Sequence, residues 1–176
     1  IILKSILKKV VNYFGFNIIR NNKEINNVDF NDLLKQKISS NPIIFDVGGN
    51  SGQSKIKFKK IFKNLIIHSF EPIESEYKKM KDMFGSDENV FLNNFALGEK
   101  EELKEFNITA KSSNSSFNKV KTGTKWLKER SKEHLNNSED YIVKKEIVKI
   151  STIDKYCLEK KINQIDLIKI DTQGYE

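Results

Sequence analysis

The sequence predicts an α/β domain with a mostly parallel, doubly wound sheet. Three observations carry that class. Short apolar runs bounded by turn residues recur along the chain, segments with apolar side chains at three- and four-residue steps separate them, and the first run ends in a glycine-rich turn. Strand and helix in alternation favour parallel strands joined by right-handed crossovers, with helices on both faces. At 176 residues, 38% hydrophobic and 31% charged, the chain suits one soluble domain with a real core.

Taken in order, the opening "IILKSILKKVVNYFGF" places Ile2, Ile6, Val10 and Phe14 at helical spacing, and residues 1–40 read as an N-terminal helical extension. Lys4, Lys8 and Lys9 interrupt any run long enough to cross a bilayer. Packing on its own domain is the commoner fate of such a helix, with peripheral membrane contact through residues 1–20 as the alternative. Strands are expected at Ile43 to Val47, Leu65 to Phe70, Val90 to Phe95 and Leu167 to Ile170. Helices are expected at Gln53 to Phe62, through Ile56, Phe58, Ile61 and Phe62, and at Glu74 to Phe84, through Tyr77, Met80 and Phe84.

After Phe95 the rhythm changes. "LGEKEELKEFNI" and "YIVKKEIVKI" read as an antiparallel ribbon flanking a polar insertion at about 107–142, within which "WLKERSKEHL" looks like a short helix. "STIDKYCLEKKI" is a helix capped by Ser151 or Thr152. The sheet order expected is 3-2-1-4. The chain begins without Met and stops just after the fourth strand, which predicts a fragment, incomplete after strand 4. Such a chain has an unprotected edge there, and poor stability, edge pairing or lost activity is the expected consequence.

Net charge is +7, from 31 Lys+Arg against 24 Asp+Glu, with the lysines scattered over the length. Nucleic-acid binding needs a basic stripe on one face, so a solvated surface is the better reading and no nucleic-acid partner is expected. Cys157, the single cysteine, excludes an internal disulfide, and no thiol stands at zinc-ligand spacing. A reducing cytoplasm and no metal follow as expectations.

The chemistry gathers at "IIFDVGGNSGQS", residues 43–54, where Gly48, Gly49 and Gly52 follow Asp46. A strand that ends in glycines and runs into a helix lets backbone approach a ligand closely. The spacing G-G-x-x-G departs from the dinucleotide fingerprint, and the Gly-Lys-Ser/Thr ending of a P-loop is missing. A carboxylate at the mouth of the strand repels a pyrophosphate but accepts from a cationic amine. S-adenosylmethionine carries such an amine and no phosphate. Glu71, in "SFEP" at the end of the second strand, sits where an acid takes both ribose hydroxyls, and Asn94 with the backbone of Phe95 and Ala96 stands where an adenine edge would lie. Each has a structural competitor: a tight turn for the glycines, a helix start for Glu71 and Pro72, a helix cap for Asp171.

In this order, "FDVGGNSGQS", "SFEP", "NNFALG", "STIDKYC" and "IDLIKIDTQGYE" resemble the FkbM family of S-adenosylmethionine-dependent methyltransferases, over roughly residues 41–176. The resemblance implies a Rossmann-like class I methyltransferase fold and O-methylation of a sugar, polyketide or related small-molecule or glycan acceptor. It implies that Asp46, Gly48, Gly49, Asn50 and Gly52 form the methionine-binding loop, that Glu71 binds ribose, and that Asn94 and Ala96 lie by the adenine. Asp171, Gln173 and Glu176 would face the sulfonium and the acceptor. Asp171 and Glu176 are the candidate bases, because an attacking hydroxyl must lose its proton. Ser115 and Ser116 are candidate acceptor contacts. Phe117 and Trp126 either cover that pocket or anchor the insertion, and His68, within a strand, and His134 are the less favoured bases. A nicotinamide-dependent oxidoreductase and a non-catalytic binding domain are the rival readings.

Overall fold

The structure is a computed structural model that describes residues 29–118, 124 and 142–175. The chain divides into two compact units, residues 1–33 and 34–176, and the account below concerns the second. The opening amphipathic segment, the helix expected at Trp126, His134 and Glu176 lie outside the described residues.

Alternation along the first strand sets the layers. In β1 (Ile43–Val47) side chains point to opposite faces in turn, and both faces are buried. Ile44 joins Ile67 of β2 (Ile66–Phe70) in a cluster with Phe58, Phe62 and Leu65, the surface that α2 (Gln53–Ile61) covers. Leu34, from α1 (Phe30–Lys37), completes that cluster. On the other face Phe45, Val47 and Phe70 pack with Tyr156 of α4 (Ile153–Lys160). Burying each such side chain contributes about 2 kcal/mol. Helices therefore cover both faces, as a doubly wound sheet requires. Thr152 caps α4, its hydroxyl accepting from the Lys155 N–H at 3.1 Å.

The main sheet is parallel, with β3 (Val90–Asn93), β2, β1 and β7 (Leu167–Ile170) side by side. This is the 3-2-1-4 order expected, and α3 (Glu74–Phe84) occupies the span read as the second helix. A second sheet orders β4 (Ala96–Leu97), β6 (Ile142–Ser151) and β5 (Glu102–Thr109). β5 and β6 pair antiparallel with a register shift at Ile108/Thr109, which is the anticipated ribbon. The expected third strand is shorter than anticipated, because the chain bends at Asn94 and Phe95 before β4 begins.

His68 sits inside this core. Its Nδ1 lies 2.8 Å from the Tyr156 hydroxyl and its ring stacks on Phe91, 4.6 Å away. Burial pushes its pKa down to about 4, so the ring is neutral at pH 7.

Lys55 of α2 is fully buried, and its ammonium lies 3.8 Å above the Phe84 ring with no hydrogen-bond partner. Burial pushes its pKa down from 10.5 to about 8, against the pull of Asp46. The folded chain then binds fewer protons than the unfolded one between those two values, so this group's penalty is full below pH 8 and is relieved as pH rises toward 10.5. Lys55→Met, similar in volume, is expected to raise stability at pH 7 by on the order of 2 kcal/mol. It should also flatten the rise in stability on the alkaline side. Urea unfolding at pH 7 and pH 9.5 checks both, and a destabilised variant would show that the cation holds the loop instead of burdening it.

Candidate active site

The strand register builds the site. β1 pairs Asp46 with Lys169 of β7 and Val47 with Ile170, which brings the turn after β1 against the tip of β7. Gly48 adopts φ +76, and its N–H and that of Gly49 both donate to the Phe70 carbonyl at 3.0 Å. A Cβ on Gly48 would stand 2.1 Å from the Asp171 carbonyl oxygen, so the two backbones touch where no side chain fits. Gly52, at φ +85, starts α2, and a Cβ there would meet the Phe84 ring at 2.6 Å.

Glu71, just past β2, is almost fully buried. Its Oε1 accepts from the Ile73 N–H and its Oε2 from the Asn50 N–H, both at 2.8 Å. Burial pushes its pKa up to about 7 against those two hydrogen bonds. The carboxylate is thereby fixed across the glycine turn, with one lone pair on each oxygen still to offer.

These pieces enclose a cavity of about 400 Å³. Of the residues singled out from sequence, Gly48, Gly49, Asn50, Glu71, Ala96, Ser115, Asp171 and Gln173 line it. Asp171 is half exposed, with Gln173 Nε2 donating to its Oδ1 at 2.8 Å and Lys169 Nζ 3.8 Å from its Oδ2.

Three of the expected residues are not in the cavity wall. Asp46 is buried behind the turn with Lys169 Nζ 3.2 Å from its Oδ1, and neither of its oxygens has a hydrogen-bond partner among the described residues. Burial raises its pKa against the pull of Lys169. Asn94 lies outside the cavity wall, its Nδ2 donating to the Glu71 carbonyl at 3.0 Å and the Pro72 carbonyl at 3.2 Å, so it braces the bend after β2. Ser116 donates to the Gln173 carbonyl and accepts from the Asn118 N–H, both at 3.2 Å, and does not line the cavity. Ser115 lines it, yet its Oγ accepts from the Thr109 N–H at 3.0 Å.

Sequence reasoning missed Lys169 and the aromatic wall. Lys169 Nζ reaches Asp46, Asp171 and, at 3.1 Å, the Gly48 carbonyl, tying turn to strand tip. A lysine in the otherwise apolar "LIKI" was the available signal. The wall is Phe106, Phe117 and Tyr175, with Phe117 4.7 Å from Phe106 and 4.8 Å from Tyr175 between ring centroids. Of the two readings for Phe117, it covers the cavity. A short 3₁₀ turn, Ser112–Asn114, closes beside it, with Asn50 Nδ2 3.4 Å from Ser112 Oγ.

Among the described residues, no group of three His, Cys, Asp or Glu side chains is placed to hold a metal, and no helix is long and apolar enough to cross a membrane. No curated protein matches the chain. Residues 46–176 match the family model of the methyltransferase FkbM domain, a span that runs from the acid of β1 through the glycine turn to the residues after β7. The strand order and the cavity at the strand ends are those of a Rossmann-like methyltransferase, and with that match over most of its length the chain belongs to the FkbM methyltransferase family.

Proposed function

We propose that the cavity binds S-adenosylmethionine and that the chain methylates a hydroxyl oxygen of a small-molecule or glycan acceptor. When bound, that cofactor supplies a methyl group on a sulfonium. One observation carries the reading: the ends of β1, β2 and β7 open on a single cavity, with a glycine approach at the first and carboxylates at the other two. The residues present suit the group. Gly48 and Gly49 put backbone into the cavity wall, and Glu71 can accept ribose hydroxyls on its remaining lone pairs. Ala96 and Leu97 offer a small apolar wall to a purine.

Asp171, held by Gln173 and lining the cavity, takes the acceptor's proton. Orientation of the hydroxyl supplies much of the remaining rate. The unpaired Cys157 supports a cytoplasmic setting.

Thermal unfolding of the chain with S-adenosylhomocysteine and, separately, with NAD tests the reading. A ligand at a hundredfold its Kd adds about 2.7 kcal/mol, so the first should raise Tm and the second should not. A rise with NAD alone would establish the oxidoreductase instead. Ribose hydroxyls donate to an ionised carboxylate, so binding favours Glu71 charged. Because its pKa is about 7, affinity for S-adenosylhomocysteine should rise roughly tenfold from pH 6 to pH 8, and Glu71→Gln should remove that slope.

A further inference from the structure

We infer that the acceptor carries an anionic group, a carboxylate or a phosphate, which Lys111 receives beside the aromatic wall of the cavity. The inference rests on the methyl-transfer reading of the same site.

The two lysines that line the cavity differ in how their charges are answered. Lys169 stands between Asp46 and Asp171, with a carboxylate on either side. Lys111 lines the cavity as an exposed residue, and among the described residues no carboxylate lies within ion-pair distance of its ammonium. The hydrogen bonds it makes use its carbonyl, which accepts from the Asn114 N–H at 2.8 Å and the Thr109 hydroxyl at 2.7 Å. Its backbone is thus pinned while its ammonium has no carboxylate partner among the described residues.

A second cation borders the same wall. Lys104 Nζ donates to the Tyr175 hydroxyl at 2.7 Å and stands 4.7 Å from the Tyr175 ring centroid and 5.3 Å from that of Phe117. Glu102 lies 4.0 Å from it, so Lys104 is partly answered and Lys111 is the cation left over.

An ammonium in a concave wall acts on an anion more strongly than it does in open water, because the walls exclude part of the solvent. The flat faces of Phe117 and Tyr175 suit a ring with C–H groups on one face. Lys111 and Asp171 then give the cavity opposite charges at separate points. An acceptor with an anion on one side and a free hydroxyl on the other is favoured in one orientation, because the reversed pose sets its anion beside Asp171, whose charge Lys169 at 3.8 Å already shares with Asp46. A neutral polyol lacks that restraint.

The test uses three probes on the whole chain: methyl glucuronide, glucose 6-phosphate and methyl glucoside, with binding followed by ligand-observed NMR. One or both charged probes should bind roughly fivefold more tightly than the glucoside at low salt, with the advantage shrinking at 0.5 M NaCl. A preference for one charged probe over the other separates carboxylate from phosphate. Lys111→Gln should erase the advantage, Lys111→Arg should keep most of it, and Lys81→Gln, on α3, should leave it intact.

Equal binding of charged and neutral probes, no binding of either charged probe at about 10 mM, or an advantage that survives Lys111→Gln would each overturn the inference. S-adenosylhomocysteine binding is read in the same samples. Its presence without a charge preference sinks the anion subsite alone. Its absence alongside a Lys111-dependent preference sinks the cofactor reading while the subsite stands as an anion site.

Discussion

Gly48→Ala is expected to cost about 4 kcal/mol and to lower Tm by about 10 °C, with loss of any S-adenosylhomocysteine binding that the native chain shows. Two costs add. The residue keeps φ +76, a left-handed conformation that an alanine adopts at about 1 kcal/mol or more. The new methyl would also stand 2.1 Å from the Asp171 carbonyl oxygen and 3.0 Å from its carbon, and backbone on both sides cannot yield without parting β1 from β7. Gly49→Ala is the control. Its Cβ would meet the Met80 sulfur at 3.3 Å, the soft end of a flexible side chain, and its cost should stay near 1 kcal/mol. Denaturant melts of the two variants separate a steric contact at one glycine from a general need for flexibility in the turn, since the latter would make both equally harmful.

That contrast shows which features a linear reading reaches. Periodicity located the helix at Glu74–Phe84 and the strands of the main sheet, because the covered faces of these elements repeat along the chain at their own period. The glycine turn and Glu71 were legible for a local reason: each follows a strand that announces itself, and both line the cavity. Asp46 was legible as important and illegible in role. Its partner lies on β7, and only the parallel register of β1 with β7 sets Lys169 beside it. The bracing contacts of Asn94 were illegible for a similar reason. The carbonyls it serves belong to Glu71 and Pro72 on the neighbouring strand's exit, so its amide closes a bend between strands. Lys111 looked like one of many lysines in a polar insertion. Its position on the cavity wall depends on how β5 leads into the 3₁₀ turn, a matter of tertiary packing.

Lys169→Met is expected to cost about 3 kcal/mol at neutral pH, because it strands a fully buried carboxylate. Asp46 has Lys169 at 3.2 Å, and its other cationic influence is Lys55, itself buried and held below its usual range. Without Lys169 the Asp46 pKa, already raised by burial, rises further. The sign of the pH dependence follows. A carboxyl whose folded pKa lies above its unfolded value carries no penalty while it is protonated in both states; the penalty grows as pH climbs from the unfolded value to the folded one and is full above it. The deficit of Lys169→Met should therefore be largest near pH 8 and shrink toward pH 5. Asp46→Asn placed on top of it removes the stranded charge while keeping the shape, so the double variant should be more stable at pH 8 than Lys169→Met alone. Urea melts of the single and double variants at both pH values decide the matter. If the second substitution makes the protein still weaker at pH 8, the carboxylate is stabilised by something other than Lys169. If it restores stability, the acid of β1 and the lysine of β7 serve as one clasp that holds the glycine turn against the strand tip.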